Sequence, residues 1–332
     1  MRSSLSFVSL FFVFMLGCAA DHGAGDDTGS GSNEESPIET DWVASPWVSR
    51  LAVDRDHVYF VAGGGAELSR VPLAGGNPEP LYQVASDPAS FAMIDALVVG
   101  ANDIVFVIDD YDTATSAQTR TLYALAKAGG TPRMLASSQD SRAFLGVTID
   151  GESVYFTSFT SLVRVPLAGG QTQFVGESPE SVQYWAFSPT VVGDRIVWAE
   201  SSSQLAIGKS SSSREGTRLA YVPGSGKIIG SDASLVVALS GQFDFLAPAS
   251  KFIEVDPATG LLGPLVDVGA TFDDAAVTAG AVWAASHDGL FRVPRAGGAP
   301  EQVTTATSLS VAAGEGAVFV GTETGITRVK LP

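Results

Sequence analysis

The chain has 332 residues, with 19 Lys and Arg against 36 Asp and Glu, a formal net charge of −17 and a single cysteine. That field repels a phosphate backbone and no basic cluster interrupts it, which excludes nucleic acid and argues against binding of anionic headgroups by the protein surface. One cysteine allows no disulfide framework.

The first 17 residues have the layout of a secretory signal: Arg2, the apolar run Phe7–Leu16, then Gly17. The apolar run is shorter than the roughly 20 residues a membrane-spanning helix needs. Cys18 follows directly, and this arrangement resembles the bacterial lipobox, in which the signal is cleaved before a cysteine that is then acylated. The resemblance implies a palmitate-bearing lipoprotein whose membrane contact runs through the anchor alone. Removing residues 1–17 removes Arg2 and leaves a formal charge of −18. Residues 18–36 are rich in Gly, Ser and Asp, hold little that can be buried, and read as a flexible tether from the lipidated cysteine. Ala19 and Ala20 follow Cys18 where Asp is absent; by resemblance to the enterobacterial sorting rule this points to the outer membrane, with the periplasmic or surface side left open.

Residues 37–332 form the expected folded domain. No sustained helical period occurs there, while short Val, Ile, Phe and Tyr runs bounded by Gly, Asp and Pro recur to the end. The first repeat reads as four strands: A (Val48–Val53), B (Val58–Ala62), C (Leu68–Leu73) and D (Glu79–Gln83). An Asp-bearing turn joins A to B, and the AGG turn joins C to D, with glycines free to take positive φ. The text RVPLAGG at Arg70–Gly76 returns at Arg164–Gly170 and, as RVPRAGG, at Arg292–Gly298. B strands recur at Val58, Ile104, Val154, Ile196, Leu235, Val282 and Val318, about 43 residues apart, the period of propeller blades. The last copy ends after its C strand. Pro37–Val43 precedes the first A strand without a repeat of its own, and as the missing D strand it would close a ring. The expectation is an all-β, seven-bladed β-propeller with four-stranded blades and an N-terminal strand closing the last blade; six blades is the alternative.

The motifs VYF, LxRVPLAGG and their copies resemble the repeats of bacterial secreted and lipid-anchored β-propellers, and more distantly YWTD-type and NHL-type propellers. The resemblance covers residues 41–332. It implies the fold and leaves function to be argued from a site.

The recurring arginines Arg70, Arg164, Arg292 and Arg328 share a strand face with Leu68, Leu162, Leu290 and Ile326, a face that should meet the next blade through ion pairs or a capped strand end. The acids of the A–B turns suit tight turns. Asp109, Asp110 and Asp112 are oxygen ligands of the kind calcium takes, without the spacing or distal Glu of an EF-hand, so no cofactor is expected beyond a possible structural calcium ion. His287 with Asp288 is the one base–acid pair, and the surrounding AVWAASHDGLFRV is similar in texture to the repeats of streptogramin-lyase-type propellers.

The B–C and D–A connections, which share one face, are long, dissimilar and rich in aromatic residues, and loops on a rigid scaffold are where binding concentrates. The partner-binding candidates are Phe91, Tyr111, Arg142, Tyr184, Trp185, Phe243, Phe272 and Asp273. Phe144 and Phe187 are expected to fill the top of the core instead, and for Phe91 the same core role is the alternative to partner binding. Two functional readings stand open. The favoured one is a non-enzymatic binding or scaffolding module, a monomer that holds a protein or carbohydrate partner on this loop face. The alternative is a lyase or hydrolase working in the central funnel through His287.

Overall fold

A computed structural model describes residues 38–332, apart from 86, 142, 159–160, 178–185, 201–203, 210–216, 224, 232–233, 241–247 and 332. Cys18, Arg142, Tyr184, Trp185 and Phe243 lie outside the described residues.

The short apolar runs fold as strands, and they assemble into seven four-stranded antiparallel sheets. The first strand, β1 (Ile38–Ala44), belongs to the last sheet. Blade 1 is β2–β5 (Arg50–Val53, His57–Ala62, Glu67–Pro72, Glu79–Gln83) and blade 2 is β6–β9 (Ser90–Val99, Asp103–Asp112, Gln118–Ala126, Arg133–Ser138). Blade 3 is β10–β13 (Ala143–Asp150, Ser153–Ser158, Ser161–Pro166, Gln173–Glu177), and blade 4 is β14–β17 (Ala186–Val192, Arg195–Glu200, Gln204–Lys209, Thr217–Tyr221). Blade 5 is β18–β21 (Ser225–Ser231, Leu235–Ser240, Ala249–Val255, Leu262–Phe272), and blade 6 is β22–β25 (Asp274–Val277, Ala281–Ser286, Gly289–Pro294, Glu301–Thr304). Blade 7 combines β26–β28 (Ser308–Gly314, Ala317–Thr322, Gly325–Lys330) with β1, which pairs antiparallel with β28.

The first strand of each blade touches the first strand of the next, and β26 touches β2, so the inner strands form a closed ring. This is a β-propeller. The second strands are buried on both faces because each lies between two neighbouring blades. Val58 and Phe60 pack toward blade 7, whereas Tyr59 and Val61 pack toward blade 2. Seven apolar clusters fill the seven junctions in this way.

The recurring arginines depart from the expected inter-blade ion pairing. Arg70 is opposite Glu79 in register and its Nη2 is 2.8 Å from Oε2; Arg292 pairs likewise with Glu301 at 3.3 Å, and Arg164 Nη2 donates to Gln173 Oε1. The ionic partner of Arg70 and Arg292 is thus on the fourth strand of the same blade, where Arg164 meets the neutral Gln173. The reason is geometric: residues directly opposite in adjacent strands are closer than side chains across a blade junction. Arg70 still reaches blade 2 through a hydrogen bond from Nη1 to the Lys127 carbonyl.

The junctions carry their own ionic contacts from another repeat position, the residue before AGG. Leu73 and Leu167 there pack on apolar neighbours. In blade 2 the residue is Lys127, whose Nζ donates to Asp54 of blade 1. In blade 6 it is Arg295, bonded to Glu254 and Ser234 of blade 5.

Candidate functional site

The B–C and D–A connections emerge on one face of the ring. Blade 2 rises above it: β6 and β7 each have 10 residues and β8 has 9, against 6 among the described residues in the second strand of every other blade. At about 3.3 Å per residue the four extra residues carry the sheet roughly 13 Å further. On this raised part Phe91 and Tyr111 are directly opposite each other in adjacent strands. They are 59% and 41% exposed, although large aromatic side chains are mostly buried elsewhere in the molecule. The chain therefore presents an aromatic pair on a rigid three-stranded support.

The carboxylates around this pair face different ways. Asp109 shares the Phe91–Tyr111 side of the sheet, because its register partner is Met93, two residues from Phe91. It accepts from Gln118 Nε2 at 2.7 and 2.8 Å. Asp110 points to the other side, above Ile108, and its buried Oδ1 has no hydrogen-bond partner among the described residues. Asp112 accepts from the Ala114 and Thr115 backbone N–H groups with Oδ1, and these bonds, that of Thr115 first, hold its carboxyl below the usual range. The three carboxylates that the sequence offered as a weak calcium candidate do not converge. Successive residues of a strand point to opposite faces, so Asp109 and Asp110 diverge, and Asp112 is turned onto its own turn. Among the described residues no group of three or more His, Cys, Asp or Glu is placed to hold a metal ion.

At the root of the raised sheet, Asp95 of β6 takes both Arg50 of blade 1, at 3.1 Å, and Arg120 of β8. Arg120 also donates to the Ser141 carbonyl at 3.2 Å, which ties blade 2 to the entry of blade 3. Arg120, which stands directly opposite Asp109 in register, is thus committed to Asp95 and to the Ser141 carbonyl.

Phe272 is a correction to the sequence reading. It is only 2% exposed and packs in the junction between blades 5 and 6, so it builds core and offers no contact surface. The two-residue period Val266, Val268, Phe272 within β21 carried that signal. Phe144 fills the core as expected, with its ring centroid 4.8 Å from that of Phe156. Asp273 does sit on the loop face. Its Oδ2 is 3.8 Å from Nε2 of His287, while Asp288 contributes its backbone, donating from N to Ser286 Oγ and accepting at O from Gln302. His287 is 79% exposed, so the imidazole stands in solvent with no enclosure against water, and the base–acid pair expected from the sequence, His287 with Asp288, is replaced by a loose approach to Asp273.

The sequence reading missed Trp47. It lies in the connection from β1 to β2, is 51% exposed, and has φ +51, a conformation unusual for a bulky residue. Its N–H donates to the Glu323 carbonyl at 2.9 Å, and the neighbouring Pro46 carbonyl accepts from Gly63. Gly63–Gly65 form a short 3-10 turn with positive φ throughout, and a Cβ at Gly65 would lie 2.7 Å from Met93 Cβ, so no other residue lets blade 1 approach β6 so closely. Trp47 thus adds a third exposed aromatic on the same face, in the blade beside the raised one.

These features define the class as a β-propeller with a raised, aromatic-bearing blade on its loop face. No protein-family model matches the chain, and no curated protein matches it. Solved structures do. The chain is similar to YCF48 bound to D1 peptide, with a TM-score of 0.60 and 14% identity over 90% of this chain and 98% of that one. It is similar to the WD40 propeller domain of Doa1, with a TM-score of 0.58 and 11% identity over 86% and 93% of the two chains. It is also similar to BamB from Moraxella catarrhalis, with a TM-score of 0.52 and 12% identity over 86% and 85%. At these identities the likeness is one of fold.

Proposed function

We propose that the protein is a non-enzymatic lipoprotein of the bacterial cell envelope that holds a protein partner on its loop face. The observation that carries this reading is the Phe91–Tyr111 pair, two exposed aromatics in register on the raised blade. Rigid aromatic side chains offer large contact area at low conformational cost, which is why they dominate interface energetics. Neighbours of the same fold include YCF48 bound to D1 peptide and a chain of the Mitotic Checkpoint Complex, which supports a protein over a carbohydrate as the partner. The envelope location rests on the signal layout and Cys18.

The test uses the full chain expressed in its native envelope, cross-linked and purified in detergent, beside a Phe91→Ala/Tyr111→Ala variant. The wild type should recover one or more partners that the variant loses. Equal recovery by both would overturn the loop-face reading. Labelling with radioactive palmitate tests the anchor separately: label should enter the wild type and not Cys18→Ala, and an unlabelled wild type would remove the lipoprotein assignment.

A further inference from the structure

We infer that the raised part of blade 2 docks a cationic segment of a protein, one that brings Arg or Lys side chains against Phe91 and Tyr111; this rests on the loop-face reading above. The first ground is charge. Between Arg70 and Arg120 the chain has no Lys, Arg or His, while it has seven Asp or Glu. Three of the seven are paired with cations from elsewhere: Glu79 with Arg70, Asp95 with Arg50 and Arg120, and Asp103 with Arg133. The other four, Asp87, Asp109, Asp110 and Asp112, are all at the loop-face end of the blade, and none has a cationic partner among the described residues. Asp87 and Asp112 are brought into adjoining turns by the bond from Thr113 N–H to the Ala89 carbonyl, 3.0 Å. Each spends Oδ1 on backbone N–H groups of its own turn.

The second ground is the aromatic pair itself. Four aromatic rings of this molecule, buried and exposed alike, have a cation over or beside them. Lys127 lies 5.6 Å from the Tyr59 ring centroid, Arg218 4.4 Å from that of Tyr221, Arg292 6.0 Å from that of Trp283 and Arg328 5.8 Å from that of Trp42. Phe91 and Tyr111 have none among the described residues, although they are more exposed than Tyr59; Arg120, opposite Asp109 in register, turns to Asp95 and leaves Asp109 without an ion pair. A guanidinium or ammonium placed over either ring would gain from the ring quadrupole and from Asp109 on the same face of the sheet. It would also relieve the repulsion among four like charges. An acidic or neutral segment would gain neither.

The test measures fluorescence anisotropy of a labelled Arg/Gly peptide, and of its Gln/Gly and Glu/Gly counterparts, with the full chain in detergent. The Arg/Gly peptide should bind, weakening as salt rises, and the other two should not. Asp109→Asn/Asp110→Asn should weaken that binding by about tenfold, as loss of paired charges at an interface does, with the melting temperature checked so that unfolding is not read as lost binding. Asp56→Asn/Glu315→Gln, which removes the same charge from the opposite face, should leave it unchanged. Equal binding of the Arg and Gln peptides, or an equal loss in the Asp56/Glu315 variant, would overturn the inference. If Phe91→Ala/Tyr111→Ala loses its envelope partner while Asp109→Asn/Asp110→Asn keeps it, the loop-face reading stands and the cationic partner falls.

Discussion

Glu39 of β1 stands opposite Arg328 of β28 in the place that Glu79 holds opposite Arg70 and Glu301 holds opposite Arg292. Its Oε2 is 3.7 Å from Arg328 Nη1 and its Oε1 is 2.8 Å from Lys330 Nζ. The N-terminal segment thus supplies the fourth strand that the last repeat lacks, together with the acid that the repeat's arginine pairs with. Ring closure is written in the same cross-strand chemistry as the blades themselves.

Two substitutions separate the ionic from the apolar part of this closure. Glu39→Ala should cost only about 0.5–1 kcal/mol, because the pairs are partly solvated and screened. Val43 is buried in the junction of blades 7 and 1, so Val43→Asp places an unpaired charge in the core and should cost more than about 4 kcal/mol. Urea denaturation followed by tryptophan fluorescence checks both, and comparable losses would show that the ion pair, not the apolar strand, closes the ring.

The Asp54–Lys127 contact should appear in the acid stability of the protein. Burial works to raise the Asp54 carboxyl, but hydrogen bonds from Lys127, the Asp56 and His57 N–H groups and the Tyr59 hydroxyl outweigh it and bring the pKa from 3.8 to about 2. The folded value is the lower one, so the contribution is complete above the unfolded value and is lost as pH falls from about 4 to about 2. Lys127→Met removes the first of the lowering bonds and should move acid unfolding to higher pH. An unchanged acid midpoint by circular dichroism would contradict this account.

Aromatic residues of similar appearance in the sequence should behave oppositely. Phe144→Ala and Phe272→Ala empty buried sites and should each cost about 3–5 kcal/mol. Phe91→Ala removes an exposed ring and should change stability by no more than about 0.5 kcal/mol while abolishing partner recovery. A destabilisation by Phe91→Ala as large as that of Phe144→Ala would mean that the raised sheet is structural.

Arg295 tests the junction position before AGG. Its Nε donates to Glu254 at 2.6 Å and its Nη2 to Ser234 at 2.7 Å, with both charged groups largely buried. Arg295→Ala leaves Glu254 without this cation and should cost about 2–3 kcal/mol. Arg295→Leu combined with Glu254→Leu should recover most of that loss, since Leu73 and Leu167 already fill this position in other blades. A double variant as unstable as the single one would show that the two kinds of junction are not interchangeable.

The repeat period, the four-strand reading and the closing N-terminal strand follow from sequence, because each depends on local pattern: alternation sets which residues are buried, and AGG sets where the chain turns. Phe272 was legible by the same alternation, as its two-residue phase with Val266 and Val268 shows. Other features depend on which segments meet. The ionic partners of Arg70, Arg292 and Arg328 were decided by cross-strand register, and the divergence of Asp109 from Asp110 by the pleat of a strand that the loop-like text IDDYDTATS conceals. The exposure of Trp47, Phe91 and Tyr111 was decided by blade 2 outgrowing its neighbours and by the connection into blade 1. An aromatic at a strand end is core when the adjacent blade reaches its height and surface when it does not. Strand pattern alone fixes the direction of a side chain, and only the packed ring fixes whether anything lies in that direction.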